Sequence, residues 1–147
     1  MTNSAPQDLG LGHQGPSKLG GKIQDRSARV GIVGIGYVGL PTMVAVAEQG
    51  FKVTGIDISS RRVDQINSSV SYIEEVYDET LSSLVDSGKI SATTDYKVVR
   101  ELDVVVVCVP TPITKNKEPD LQALRNTMSQ ISANLRSEQL VILQSTT

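Results

Sequence analysis

Short aliphatic runs alternate with amphipathic stretches along most of this chain. Compact apolar runs bounded by Gly, Asp or Ser favour buried strands, whereas apolar positions three and four residues apart favour helices. The pattern predicts strands at Arg29–Gly34, Phe51–Ile58, Ile90–Thr93, Asp103–Val109 and Gln139–Gln144. It predicts helices at Val38–Gln49, Ser59–Asn67, Glu79–Ser87, Asp95–Glu101 and Asp120–Leu135. Because strands separated by helices indicate right-handed crossovers, we expect an α/β domain whose doubly wound parallel sheet carries helices on both faces.

The start of the chain lacks this alternation. Residues 1–27 are rich in Gly, Ser, Pro and Gln and show no hydrophobic period. Such composition is typical of segments that bury too little apolar surface to fold. We therefore expect a disordered tail over residues 1–27 and a folded domain over residues 28–147.

Composition and charge exclude several function classes. The net charge is −2, so no basic excess is available for a nucleic-acid backbone. No apolar run approaches the length of about 20 residues that a membrane helix needs, and we expect no membrane association. The single cysteine, Cys108, excludes an intrachain disulfide and fits a reducing cytoplasm. The acidic residues lack ligating histidines, and no metal site is expected.

Three glycines follow the first predicted strand. Gly34, Gly36 and Gly39 match the pattern G-x-G-x-x-G between a strand and a helix. The first glycine would permit a tight turn, the second the close approach of a pyrophosphate, and the third close packing of helix on strand. The free amides at the helix start would face the phosphates. This context predicts a Rossmann-type dinucleotide-binding domain.

An acidic residue ends the next predicted strand. Asp57 stands where a carboxylate accepts hydrogen bonds from an adenosine ribose and repels a 2′-phosphate, which favours NAD over NADP. Arg61 and Arg62 follow closely, and a cation there could accept the 2′-phosphate of NADP instead. The residues by themselves leave both cofactors open, with NAD favoured.

Five stretches together resemble the N-terminal, NAD-binding domain of the UDP-glucose/GDP-mannose dehydrogenase family. They are VGIVGIGYVGLPTMVAVAEQGFKVTGIDI, RRVDQIN, VVVVCVPTP, EPDL and LVILQSTT, and together they span about residues 29–147. The segment SYIEE followed by CVPTPITKNKEPDL is most similar to family members acting on UDP-N-acetylhexosamines. The resemblance implies oxidation of the C6 alcohol of a nucleotide sugar to the uronate, with two NAD and a cysteine thioester.

The resemblance also implies roles for individual residues. Cofactor contacts would come from the glycine turn, the second strand's end, the VPTP loop and the terminal QSTT: Gly34, Gly36, Tyr37, Val38, Gly39, Asp57, Arg62, Thr111 and Thr146. Thr146 would in addition lie beside the reacting centre as a catalytic residue. The family's catalytic Cys, Lys and Asn, its central helix and its sugar-binding domain come later than Thr147. Cys108 follows four valines in a predicted central strand, so we expect it to be a buried, inert thiol.

These observations leave rival interpretations open. The leading one is the truncated NAD-binding domain of a cytoplasmic, homo-oligomeric UDP-sugar dehydrogenase that is inactive as a fragment. The alternative is a stand-alone NAD-binding or sensing module without catalysis. A third is a dehydrogenase of hydroxy acids, against which VPTP followed by EPDL argues. Ending at Thr147 predicts an exposed apolar face or sheet edge and a tendency to self-associate.

Overall fold

A computed structural model of the protein describes residues 18–144, and the strands within that range form one parallel sheet. The strands are β1 (Arg29–Val33), β2 (Lys52–Ile56), β3 (Ile90–Thr93), β4 (Val104–Val107) and β5 (Leu140–Leu143). Their order is β3-β2-β1-β4-β5, and every neighbouring pair is parallel. This is the strand order of a Rossmann domain, which confirms the predicted fold.

Helices cover both faces of the sheet. They are α1 (Lys18–Gln24), α2 (Gly39–Glu48), α3 (Ser60–Asn67), α4 (Asp78–Asp86), a 3-10 helix (Tyr96–Glu101) and α5 (Gln122–Ser132). One buried cluster joins the sheet to α2, α3 and α4 through Met43, Ile66 and Leu81. A second cluster joins the opposite face to the 3-10 helix and α5 through Val99 and Ile131. Because two faces are buried, β4 is apolar at all four positions.

The fifth strand forms an exposed edge. Leu140, Ile142 and Leu143 are 41%, 42% and 53% exposed. Because side chains alternate along a strand, Leu140 and Ile142 share one face, and we call these two residues the β5 apolar patch. The register pairs Leu140 with Val104 and Ile142 with Val106, so both side chains continue an apolar face of the neighbouring strand β4. The exposed apolar edge predicted from the sequence is therefore present.

The predicted disordered tail is wrong for residues 18–24, which form helix α1. Leu19 packs against the first core cluster, and Lys22 Nζ donates to Asp103 Oδ1 at 3.0 Å. Arg26 places its guanidinium 5.2 Å from the centre of the Phe51 ring. The contacts of Leu19 and Lys22 stabilise a short glycine-containing helix that has little intrinsic propensity, and the partner of Lys22 lies 81 positions away in sequence. The remainder of the expected tail, residues 1–17, lies outside the described residues.

A buried carboxylate fixes the amino end of the sheet. Asp103 Oδ2 accepts the amide hydrogen of Arg29 at 2.8 Å. Its Oδ1 accepts hydrogen bonds from Lys22 Nζ at 3.0 Å and from Arg136 Nη2 at 3.2 Å. Burial alone would raise the pKa of Asp103, but these donors together hold its pKa below the usual value. The contacts tie α1, β1 and β4 together.

None of the helices between residues 18 and 144 is both long and apolar enough to span a bilayer.

Candidate functional site

A cleft of about 830 Å³ opens at the carboxyl ends of the central strands. It lies where the chain reverses direction across the sheet, since β1 is flanked by β2 on one side and β4 on the other. Ligands of open α/β sheets bind at this kind of switch point. The cleft wall includes seven of the predicted cofactor residues: Gly34, Gly36, Tyr37, Val38, Asp57, Arg62 and Thr111.

The three glycines of the turn have different surroundings. Gly34 has a φ of +88°, and a Cβ there would lie 2.9 Å from the carbonyl oxygen of Cys108. A Cβ on Gly39 would overlap the carbonyl oxygen of Gly34, so this glycine allows α2 to pack on β1, and it does not line the cleft. A Cβ on Gly36 would meet only the tip of the Arg62 side chain, at 3.4 Å. Gly36 is thus the position where the backbone is open to a ligand.

The start of α2 presents unpaired amides to the cleft. Val38 precedes the helix and makes no side-chain capping bond. Among the described residues, none accepts a hydrogen bond from the amides of Gly36, Tyr37 or Val38. Free amides and the positive end of a helix dipole favour an anion at this place.

Asp57 connects the glycine turn to the start of α3. Its Oδ2 accepts the amide hydrogen of Ile35 at 3.0 Å, and its Oδ1 accepts that of Ser59 at 2.8 Å. The residue is only 7% exposed. The sequence predicted a ribose-binding carboxylate here, whereas the geometry adds a structural role, because both oxygens already hold backbone amides. Each oxygen retains a further lone pair for a ligand hydroxyl.

The side chain of Arg62 lies close to Gly36 of the glycine turn. Its Nη1 is 3.6 Å from Asp57 Oδ2, and its guanidinium is 5.9 Å from the centre of the Tyr72 ring. The side chain remains about half exposed, so the ion pair contributes little to folding. A ligand could therefore bind the Arg62 guanidinium and displace only its weak ion pair with Asp57.

Other residues that line the cleft were not predicted from the sequence. They are Tyr96 from the 3-10 helix, the exposed Ile58 after β2, and three residues of α5 with side-chain amides, Gln122, Asn126 and Gln130. The amides are spaced four residues apart and so share one helix face. The four-residue spacing can be recognised in the sequence, but the sequence did not indicate that this face of α5 lines the cleft.

The expectation for Cys108 needs correction. Strand β4 ends at Val107, so Cys108 lies just beyond the strand, is only partly buried and contributes to the cleft wall. Its Sγ is 3.5 Å from Gln144 Oε1. Burial raises the pKa of the Cys108 thiol, which keeps it protonated and poorly nucleophilic at neutral pH.

Thr146 lies outside the described residues, so its predicted catalytic and cofactor roles remain predictions. Residues 18–144 contain no group of three or more His, Cys, Asp or Glu arranged to hold a metal ion.

Comparison with known proteins identifies the family. Residues 28–147 match the family model described as UDP-glucose/GDP-mannose dehydrogenase family, NAD binding domain. The chain belongs to this family. It is 34% identical over 119 residues to a UDP-N-acetyl-D-mannosamine dehydrogenase of Pyrococcus horikoshii, covering 80% of this chain and 28% of that protein. It is 34% identical over 112 residues to a GDP-mannose 6-dehydrogenase of Pseudomonas syringae, covering 75% and 26%.

Solved structures of family members have the same fold. A ternary complex of GDP-mannose dehydrogenase from Pseudomonas aeruginosa superposes with a TM-score of 0.77 at 34% identity, covering 81% of this chain and 28% of that one. A UDP-D-ManNAc dehydrogenase from Pyrococcus horikoshii gives a TM-score of 0.75 at 33% identity, covering 80% and 28%. The chain spans less than a third of the length of the curated relatives it matches.

The cofactor of this NAD-binding domain is NAD, and the cleft fits it. Gly36 leaves room for a pyrophosphate beside the free amides of Tyr37 and Val38. Asp57 stands at the end of β2, where the adenosine ribose of a dinucleotide lies in Rossmann domains.

Proposed function

We propose that this chain is the cofactor-binding part of a nucleotide-sugar 6-dehydrogenase. The enzyme would oxidise the C6 alcohol of a UDP-sugar, either a UDP-N-acetylhexosamine or UDP-glucose, to the uronate with two NAD. The observation that carries the proposal is the open backbone at Gly36 beside the buried carboxylate of Asp57, in a domain of this family. The segments SYIEE and CVPTPITKNKEPDL favour the UDP-N-acetylhexosamine branch.

The chain's own residues would bind and orient the cofactor. When bound, NAD supplies a hydride acceptor. The amides of the glycine turn and the start of α2 would hold its pyrophosphate, and Asp57 and Arg62 would hold the adenosine ribose. Thr111 of the VPTP loop would contact the cofactor, and Thr146 would lie beside the reacting centre, where a hydroxyl can hold a water or a developing charge.

The remaining features of the proposal concern the whole protein. The 147-residue polypeptide covers less than a third of its relatives' length, so we expect it to bind NAD without turning over a sugar nucleotide. The complete enzyme would be a cytoplasmic homo-oligomer whose partner is its UDP-sugar substrate, without nucleic acid or membrane.

The test is a substrate panel on the complete gene product that contains this sequence. UDP-N-acetyl-D-mannosamine, UDP-glucose, GDP-mannose and a set of hydroxy acids would each be offered with NAD, and NADH would be followed by absorbance. Formation of two NADH per uronate from a UDP-sugar supports the proposal. Binding of NAD without oxidation of any panel member would support the stand-alone sensing module instead.

A matched variant controls for adventitious activity. Gly36→Val places a branched side chain at the open position of the turn, whereas an exposed substitution such as Glu79→Gln lies outside the cleft wall. We expect the first to abolish turnover at NAD concentrations that saturate the wild-type protein, and the second to leave turnover unchanged. Oxidation of a hydroxy acid alone would overturn the assignment to nucleotide sugars.

A further inference from the structure

Tyr72 lies behind the glycine turn, in the segment between α3 and α4. Its hydroxyl donates a hydrogen bond to the carbonyl oxygen of Ile35, the residue between the first two glycines of the turn. The amide of Ile35 is in turn held by Asp57. The two backbone polar groups of Ile35 are therefore both hydrogen-bonded: Asp57 accepts from its amide, and Tyr72 donates to its carbonyl oxygen.

Fixing the Ile35 carbonyl also fixes the amide of Gly36, because the two groups belong to one peptide unit. The unit is planar and trans, so its C=O and N–H point in opposite directions. The carbonyl points to Tyr72, and the Gly36 amide consequently points away from it. Gly36 is the open position of the turn and contributes to the cleft wall. The tyrosine hydroxyl thus determines the orientation of an amide that a pyrophosphate would meet.

The ring of Tyr72 has a second partner. The guanidinium of Arg62 lies 5.9 Å from the ring centre while its Nη1 lies 3.6 Å from Asp57 Oδ2. A cation over an aromatic face is attracted by the ring quadrupole. Arg62 has a long side chain that is about half exposed, and the ring restricts it to the neighbourhood of the carboxylate.

The hydroxyl stays a donor under ordinary conditions. Burial raises the pKa of Tyr72 to about 12, although the nearby charge of Arg62 opposes the shift. The phenol therefore keeps its proton throughout the neutral range and can donate to the carbonyl.

We propose that Tyr72 is a positioning residue for NAD: its hydroxyl orients the Gly36 amide through Ile35, and its ring holds Arg62 beside Asp57. The inference rests on the proposed placement of NAD at the glycine turn. The two parts of the side chain have separable consequences. Loss of the hydroxyl loosens the turn, whereas loss of the ring also frees Arg62 to move toward a 2′-phosphate.

Calorimetric titration with NAD and with NADP separates these contributions. Tyr72→Phe keeps the ring and removes the hydrogen bond, and we expect NAD to bind about fivefold more weakly with an unchanged NAD-over-NADP preference. Tyr72→Leu removes both contacts, and we expect NAD to bind more weakly still, with the preference over NADP reduced at least about threefold. Tyr77→Phe is the matched control, because Tyr77 is exposed and lies outside the cleft wall, and it should bind like wild type.

Thermal unfolding of each variant distinguishes positioning from a merely structural role. A lower melting temperature with unchanged NAD affinity in Tyr72→Phe would overturn the inference, as would an unchanged cofactor preference in Tyr72→Leu. If Tyr72→Leu does not fold, Tyr72→Phe decides alone, because it preserves the packing of the ring. Failure of the wild-type protein to bind NAD would instead contradict the proposed function, so the two failures are distinguishable.

Discussion

Gly36 and Gly39 belong to one turn but face different surroundings, so replacing each with alanine should separate packing from cofactor binding. A methyl group on Gly39 would overlap the backbone carbonyl oxygen of Gly34, and backbone cannot yield as a flexible side chain does. Helix α2 would have to move away from β1. Leu40 and Met43, which this helix buries completely, would then lose contacts.

The expected magnitudes differ accordingly. Overpacking of a core typically costs about 1–3 kcal/mol, and the rigid contact places Gly39→Ala near the upper end, at about 3 kcal/mol of unfolding free energy. For a domain of this size that lowers the melting temperature by roughly 6–12 °C. At Gly36 the nearest atom belongs to the mobile end of Arg62, at 3.4 Å. We expect Gly36→Ala to change the unfolding free energy by less than about 1 kcal/mol, since the lower entropy of the unfolded chain offsets small strain.

The assay is urea denaturation followed by circular dichroism, combined with calorimetric titration of NAD into the folded protein. Gly36→Ala should lower NAD affinity at least about tenfold, because its methyl group would occupy the space where we propose that the pyrophosphate binds. Gly39→Ala should chiefly lower stability. Wild-type stability of Gly39→Ala, or normal NAD binding by Gly36→Ala, would refute this separation of roles.

Three further outcomes are expected. Asp57→Asn keeps one acceptor oxygen for two amides and should cost about 2 kcal/mol of unfolding free energy in urea denaturation, and a loss below about 0.5 kcal/mol would contradict the role of Asp57 in fixing the turn. The depressed pKa of Asp103 means that its carboxylate stabilises the fold above its unfolded pKa of about 4 and that this stabilisation is lost as the pH falls through the folded pKa. Urea denaturation at pH 6 and pH 3 should therefore show a smaller acid-induced loss in Asp103→Asn than in wild type, and equal losses would exclude this linkage. Ile142→Lys charges the β5 apolar patch and should reduce self-association in light scattering across a concentration series, an expectation that a strictly monomeric wild-type protein would refute.

The order of strands and helices was predictable because each element carries its own local signal. Ser59 is the clearest case: its hydroxyl accepts the amide hydrogen of Arg62 at the start of α3, the capping role that serine commonly has just before a helix. Gly50 and Gly88 end helices α2 and α4 with positive φ, as glycines at such positions usually do. Patterns of this kind depend on neighbours within a few residues and so can be read without the fold.

Other features depend on contacts between distant parts of the chain. Helix α1 contains two adjacent glycines and is stabilised because Leu19 packs on the core and Lys22 binds Asp103, the residue before β4. Tyr72 has no local signal either, since the residue that it holds, Ile35, lies 37 positions earlier. The position of Cys108 in the cleft depended on where β4 ends, and strand boundaries are the least certain part of a sequence pattern.

Within the candidate site, the glycine turn and Asp57 were predictable from the sequence, and most of the surrounding cleft was not. The glycine pattern and Asp57 predicted a dinucleotide site at this cleft, because each position has a distinct physical requirement. The double use of Asp57 as an acceptor for Ile35 and Ser59 could not be read from the sequence, since it requires the folded geometry of two loops. The wall formed by α5 was missed for the same reason.

The most direct measurement is a calorimetric titration of the 147-residue polypeptide with NAD, with NADP as the comparator. We expect NAD to bind and NADP to bind at least about tenfold more weakly, because the carboxylate of Asp57 repels a 2′-phosphate. That result would establish the glycine turn and Asp57 as a working cofactor site. Absence of binding by both dinucleotides, or equal affinity for the two, would contradict the account.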